Sequence, residues 1–273
     1  MSTNNQLNEL NININGLRVS YCDSKVESTP VIFLHGFPFD KSAWDPQLEA
    51  IGSKYRMINY DLRGFGKSEA DAESFSMDLF ADDLVHFMDA LDIPTAIVCG
   101  LSMGGYIILN AIDRYPERFK ALILCDTQCI ADTPEGAEKR FKTIDSINAN
   151  GLTEFTEGFL KNVFYEETFT RKPEVVDQIR NIILSTKVST VTSTLKALAE
   201  RRETCSILNK IKIPTLIICG KEDKITPPDR AQFLHENIKD SELHIIENAG
   251  HLSNMEEDAI FNDRVLNFLK TTV

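Results

Sequence analysis

The run Ala96-Ile-Val-Cys-Gly-Leu-Ser102-Met-Gly-Gly-Tyr-Ile-Ile-Leu109 is an apolar segment that stops at a serine boxed by glycines and restarts with helical spacing. It predicts strand, sharp turn and helix. In Gly100-Leu-Ser102-Met-Gly104 the outer glycines stand where a side chain would collide with a tightly turning backbone, so Ser102 can be held in a strained conformation. Such a turn lifts the serine hydroxyl above the carboxyl edge of a sheet. It also sets the hydroxyl at a helix N-terminus, whose N–H groups favour developing negative charge.

Outward from this stretch, strands and helices alternate. Residues 9–22 alternate apolar and polar around Asn15-Gly16, the pattern of an antiparallel hairpin. Val31-Ile-Phe-Leu34 is wholly apolar, as suits a strand buried on both faces, and stops at His35-Gly36-Phe37-Pro38. Ser42 begins a helical stretch, residues 55–60 give the next strand, and residues 80, 84, 87, 88 and 91 mark one helix face. Strand 95–99, helix 103–115 and strand 121–125 continue an alternation that predicts a mostly parallel, doubly wound α/β sheet. From about 130 to 205 only helices are expected, at roughly 135–149, 152–164, 173–186 and 188–203. This reads as a helical insertion after the sixth strand. Strand 215–219, helix 227–237, strand 243–247 and one terminal helix of about 255–270 resume the pattern. The expected division is a core of 1–130 and 206–273 with the insertion at 131–205.

Composition excludes several classes. With 41 Asp and Glu against 29 Lys and Arg the net charge is −12, which argues against nucleic acid or anionic membranes as partners. No apolar run approaches a membrane span. Met1-Ser-Thr-Asn-Asn-Gln6 has neither the basic start nor the apolar core of a secretory signal, so a cytoplasmic location is expected. Six cysteines fit that address: Cys99, Cys125 and Cys219 lie in apolar strand-like runs, no CxxC or Cys/His metal spacing occurs, and buried reduced thiols are expected. No metal is implied. The Asp61-Leu-Arg-Gly-Phe-Gly-Lys-Ser68 loop imitates a phosphate loop, but G-x-x-x-x-G-K-S needs glycine at Asp61 and G-x-G-x-x-G fails at Glu69. No nucleotide cofactor is implied either.

A serine hydroxyl needs a base to take its proton, a carboxylate to orient that base and donors for the oxyanion. His251, in Glu247-Asn-Ala-Gly-His251, follows the last strand and is the best base; His86, His235 and His244 fall in helices or a strand. His35 is expected to brace its loop. Asp223, after the strand that follows the insertion, is the preferred acid, with Asp126 and Glu222 as competitors. The expected oxyanion donors are the backbone N–H groups of Met103 and Phe37.

Taken together, His35-Gly36-Phe37-Pro38, Asp61 to Ser68, Gly100-Leu-Ser-Met-Gly-Gly105, Gly220-Lys-Glu-Asp223 and Gly250-His251 make the chain resemble the α/β-hydrolase superfamily over nearly its whole length. Gly-Leu-Ser-Met-Gly-Gly, Thr226-Pro-Pro228 and Gly250-His-Leu-Ser-Asn254 are most similar to its 3-oxoadipate enol-lactonase branch. The resemblance implies a serine, cofactor-free hydrolase of small esters or lactones, since dehalogenases and epoxide hydrolases of this fold carry aspartate where Ser102 stands. It further implies that the insertion is a cap choosing the substrate, that the Asp61 loop is a structural brace, and that the acid can sit at Asp126 in some members. Phe37, Phe39, Phe65 and Met103 would make the pocket wall apolar, and Arg140, Arg171, Arg180, Arg201 or Arg202 could bind a substrate carboxylate. A ligand sensor of the same fold and a perhydrolase or haloperoxidase are the alternatives. Oligomeric state stays open.

Overall fold

The structure is a computed structural model that describes residues 9–70 and 74–272. The reading of Met1 to Gln6 lies outside them. Eight strands, β1 (Leu10–Ile14), β2 (Leu17–Asp23), β3 (Val31–Leu34), β4 (Met57–Tyr60), β5 (Ala96–Leu101), β6 (Phe119–Cys125), β7 (Thr215–Gly220) and β8 (Glu242–Ile246), form one sheet in the order β1-β2-β4-β3-β5-β6-β7-β8. β1 and β2 pair antiparallel through a turn in which Asn15 and Gly16 both take positive φ, 50° and 87°. That is the hairpin geometry the Asn-Gly dipeptide favours. β2 meets β4 antiparallel, and every pairing from β4 to β8 is parallel.

The all-apolar strands are buried because helices cover both faces. Along β3, Ile32 and Leu34 join one core, while Val31 and Phe33 join the other. On the first face lie α2 (Met77–Ala90), α3 (Met103–Arg114) and α9 (Pro228–Asn237), with Phe80, Leu84, Ile108 and Leu234 in its core. On the second lie α1 (Asp45–Ile51) and the C-terminal pair α10 (Ser253–Glu256) and α11 (Asp258–Thr272), with Trp44, Phe261 and Val265. The terminal helix expected as one piece is therefore two. Glu257 takes a non-helical backbone (φ −132°, ψ 53°), and the break lets α10 turn Glu256 inward while α11 packs Phe261, Val265 and Leu269 beneath the sheet.

Between β6 and β7 run five α-helices, α4 (Pro134–Asn150), α5 (Thr153–Val163), α6 (Thr168–Arg171), α7 (Pro173–Ser185) and α8 (Val188–Ala199), and then a short 3-10 helix at Cys205–Lys210, with no strand among them. Their apolar stripes are shared out: Ile147, Val191 and Leu195 join the first core and Leu160, Ile179 and Ile183 the second.

The cysteine expectation is corrected at one pair. Cys129 and Cys205 form a disulfide, while Cys22, Cys99, Cys125 and Cys219 are free. The two are 76 residues apart in sequence and so present no motif, but Cys129 follows β6 and Cys205 follows α8, at the two ends of the insertion. There the Thr204 N–H also donates to the Cys129 carbonyl at 2.8 Å. Reduced cysteines therefore no longer support a cytoplasmic address, since structural disulfides belong mainly to oxidising compartments. Denatured, unreduced protein is expected to titrate four thiols, rising to six after reduction. Replacing both cysteines with serine is expected to lower the unfolding free energy by about 2–4 kcal/mol in urea titrations, because a long loop is freed in the unfolded chain. Six thiols in the unreduced protein would contradict the pairing.

Candidate active site

Ser102 joins β5 to α3 with φ 52° and ψ −111°, a left-handed conformation that a non-glycine residue adopts only when its surroundings impose it. What imposes it is close packing of the turn. A methyl on Gly100 would lie 2.5 Å from the Gly104 carbonyl carbon, and one on Gly104 would lie 2.5 Å from the Leu34 carbonyl oxygen. Four hydrogen bonds hold the turn: the Ser102 N–H donates to the Cys125 carbonyl, and the Ser102 carbonyl accepts from the Gly105 and Tyr106 N–H groups and the Thr127 hydroxyl.

His251 Nε2 lies 2.8 Å from Ser102 Oγ, and its Nδ1 lies 2.8 Å from Asp223 Oδ2. The carboxylate beside Nδ1 fixes the tautomer: Nδ1–H donates to Asp223, so Nε2 is free to accept the serine proton. Three loops at the carboxyl edge of the sheet, after β5, β7 and β8, thus converge on one hydrogen-bonded chain. All three side chains are at least nine-tenths buried. Burial disfavours the imidazolium, yet the charge and hydrogen bond of Asp223, with the charges of Asp126 and Glu256, together outweigh it, and His251 is raised above its ordinary value. Burial likewise pushes Asp223 upward, and His251 with the donors around it brings the carboxyl below its ordinary value.

Those donors include Thr226, the first residue of the Thr226-Pro-Pro228 segment. Its N–H and that of Ile225 donate to Asp223 Oδ1 at 2.9 and 2.8 Å, and its hydroxyl donates to Oδ2 at 2.8 Å. An aspartate accepting from the amides two and three residues ahead is a local pattern that the Asp223-x-x-Thr226 spacing carries in sequence.

The competitors are held elsewhere. Asp126 is fully buried, but its oxygens meet the Gly220 N–H at 2.7 Å and the Ser253 hydroxyl at 2.5 Å, not His251. Burial and the neighbouring Asp223 charge push its carboxyl well above the ordinary range. Glu222 is exposed. His35 braces its loop, with Nδ1 2.8 Å from the Gly36 carbonyl and Nε2 accepting from the Leu62 N–H at 3.0 Å. Asp61 accepts from the Lys41 ammonium and from the Lys41 and Lys67 amides, tying the Asp61 loop to the segment after β3. His86, His235 and His244 lie in α2, α9 and β8.

Phe37 and Met103 flank the serine. The loop carrying Phe37 comes so near that a methyl on Gly36 would lie 3.2 Å from Ser102 Cβ, and Met103 is the first residue of α3. Neither N–H is matched to a protein acceptor among the described residues. Phe37 also lines a cavity of about 270 Å³, together with Phe155, Phe159, Leu195, Lys139 and Arg140; Ser102 and His251 are not among its lining residues, so Phe37 is what links it to the serine. Phe155 and Phe159 stack at 5.5 Å, and Phe37 meets each at 6.3 Å. Phe39 is fully buried and packs on Phe159 at 6.1 Å, while Phe65 contacts the His35 and Phe37 rings.

Of the five arginines considered for a substrate carboxylate, only Arg140 lines this cavity, where it pairs with Asp132. Arg201, in turn, binds Asp132 at 2.8 Å and stacks over Tyr106. Arg171 pairs with Glu257, Arg180 with Glu157 and Asp177, and Arg202 with Asp78 and Asp113. Lys139 at the rim escaped sequence reasoning because nothing in its local pattern separates it from a solvated helix face. One group of potential metal ligands occurs among the described residues, Asp126, Cys219 and Asp223, with donor atoms within 4.8 Å of one another. Their donors are committed: Asp223 to His251 and Thr226, Asp126 to Gly220 and Ser253, and Cys219 as a thiol whose deprotonation burial opposes.

The profile of the alpha/beta hydrolase fold family matches residues 29–258. Among curated proteins, the 3-oxoadipate enol-lactonase 2 of Acinetobacter baylyi is 30% identical over 235 residues, covering 86% of each chain. A putative non-heme chloroperoxidase of Synechocystis sp. is 30% identical over 88% of this chain and 91% of its own. Among solved structures, a thermophilic esterase from Thermogutta terrifontis superposes with a TM-score of 0.92 at 31% identity, covering 97% of this chain and 99% of its own. With five sequence motifs gathered at the strand ends of one mostly parallel sheet and a family profile spanning most of its length, the chain belongs to the alpha/beta hydrolase fold family.

Proposed function

We propose that the protein is a serine hydrolase that cleaves a small carboxylic ester or lactone through an acyl-enzyme at Ser102. The observation that carries this reading is the unbroken chain from Ser102 Oγ through His251 to Asp223, with 2.8 Å at each contact. Ser102 attacks the carbonyl carbon while His251 Nε2 takes the hydroxyl proton, and Asp223 steadies the imidazolium that forms. The N–H groups of Phe37 and Met103 receive the oxyanion, Met103 at the positive end of α3. Collapse of the tetrahedral adduct expels the alkoxide, which takes the proton from His251. Water deprotonated by His251 then releases the acid and restores the serine.

The helical insertion, residues 131–205, serves in this reading as a cap, since it supplies Phe155, Phe159 and Leu195 to the cavity wall. A cavity of about 270 Å³ suits a small substrate, drug-sized ligands needing roughly 300–1,000 Å³. Similarity to an enol-lactonase and an esterase favours the lactone and ester classes. Similarity to a putative chloroperoxidase favours a second reading, in which peroxide instead of water attacks the acyl-enzyme and gives a peracid.

Ser102→Ala is expected to lower turnover of short esters and lactones by about 10⁴-fold or more, and undiminished hydrolysis in purified Ser102→Ala protein would refute the mechanism. Steady turnover in the parent protein, as opposed to one stoichiometric burst, separates an enzyme from a ligand sensor, and peracid formation with added peroxide tests the second reading.

Asp223→Asn is expected to cost about 10³–10⁴-fold in kcat, and Asp126→Asn far less, because Asp126 does not reach the imidazole. The reverse ranking would transfer the acid role to Asp126.

The base works only as neutral imidazole, and the Asp223 charge raises His251. Activity is therefore expected to fall as pH drops through a midpoint above the ordinary histidine value of about 6.5. In Asp223→Asn the residual activity should lose that limb at lower pH. A midpoint that does not move would show that Asp223 is not the controlling charge.

A further inference from the structure

Glu256, at the end of α10, is a buried carboxylate that the steps above leave unused. It is 2% exposed, and four donors converge on it. Oε1 accepts from the backbone N–H groups of Gly250 at 2.8 Å and Leu252 at 3.3 Å, the two residues flanking His251. Oε2 accepts from the backbone N–H of Tyr165 at 2.8 Å and the hydroxyl of Thr168 at 2.6 Å, both in the helical insertion. The junction is doubled by the N–H of His251 itself, which donates to the carbonyl of Val163 at 2.7 Å.

A buried charge is costly unless its lone pairs are used, and leaving it half satisfied costs more than omitting it. Three of the four partners are backbone N–H groups that can only donate, which suits an acceptor-only carboxylate at both oxygens, and the Thr168 hydroxyl completes the set. Burial holds the carboxyl above its ordinary value, and the four donors offset part of that rise.

A side chain needed only to end α10 would bond to its own neighbours. Glu256 instead joins the backbone on both sides of His251 to a segment 88 and 91 residues away.

We propose that Glu256 is a positioning residue that clamps the 250–252 turn to the 163–168 segment of the insertion, so that the His251 imidazole is held over Ser102 by the seated insertion. This rests on the serine-hydrolase reading. It adds to it that the insertion, besides walling the cavity, sets the reach of the base. Misplacing an acid–base group by about 1 Å can cost on the order of 100-fold in rate.

The test is Glu256→Gln, with Thr168→Val as the milder variant. In Glu256→Gln the amide oxygen can serve the Gly250 and Leu252 N–H groups, leaving the NH₂ against the Tyr165 N–H, so the insertion side is broken. In Thr168→Val the carboxylate keeps three of its donors. Kinetics on one short ester, per folded molecule as counted by near-ultraviolet circular dichroism, should give a kcat about 10–100-fold lower for Glu256→Gln. KM should stay within about threefold, and Thr168→Val should show a smaller fall in the same direction.

A readout that needs no turnover is the downfield NMR resonance of the His251 Nδ1–H proton, recorded in a Ser102→Ala background. It should be sharp with Glu256 and broadened or shifted with Gln. Folded Glu256→Gln protein with unchanged kcat and an unchanged resonance would overturn the proposal, as would activity loss explained wholly by loss of folded protein. If Glu256→Gln does not fold, Thr168→Val decides by the same two measures. If parent hydrolysis proves independent of Ser102, the serine-hydrolase reading fails and the resonance alone decides for Glu256.

Discussion

The constraint on which the site depends is the near-contact of backbone inside the turn between β5 and α3. Because the Gly100 and Gly104 positions leave no room for a side chain, the chain can reverse within a few residues and force Ser102 to φ 52°. A gentler turn would carry the serine away from the sheet edge. The strain is held by its surroundings: β5 lies between β3 and β6 in the buried middle of the sheet, and Cys125 and Thr127 bond the turn from the neighbouring strand end. The nucleophile candidate is thus fixed by the buried middle of the sheet. Its partners come from the loops after β7 and β8, which must be brought to it.

How they are brought is a problem in electrostatics. Asp126, Asp223 and Glu256 all bear on one buried imidazole, and three carboxylates in so small a dry volume repel one another. The structure separates them by their partners. Asp223 has the imidazole and the Thr226 donors and is drawn down. Asp126 has only Gly220 and Ser253 and is driven up, which favours its neutral form. Glu256 spends its oxygens on three backbone N–H groups and the Thr168 hydroxyl, not on the ring. One negative charge therefore sits where the imidazolium would form, and the others are neutralised or turned aside.

What could be read in the sequence, and what could not, divides along the same line. The alternation of apolar strands with helical stripes, the Asn15-Gly16 hairpin and the Gly-boxed serine are local, because each depends on residues within a turn or a strand, and the fold followed from them. His251 and Asp223 could be named because each follows a strand that the alternation identifies. The residues that escaped act through contacts across the chain. Glu256 matters through Tyr165 and Thr168, Cys129 through Cys205, and the cavity wall through Phe155 and Phe159 meeting Phe37. No periodicity reports such meetings. Thr226 is the exception that marks the border, since its bonds to Asp223 are local and the spacing carried them.

The helical insertion is where these long-range contacts gather, and they fix it at three places with different consequences. The disulfide and the Thr204 bond close its neck, which limits how its two ends can separate. The stacked Phe155 and Phe159 bring an apolar wall to Phe37, so the shape of the cavity depends on where α5 rests. The end of α5 and the segment after it grip the turn that carries His251. α5 is therefore common to the wall and the grip, and a shift along its axis would change the cavity and the imidazole together. A substitution in this insertion that alters the fit of a substrate should on this geometry seldom leave the rate of bond cleavage untouched. In the serine-hydrolase reading, that linkage would tie the fit of a substrate to the rate at which it is attacked.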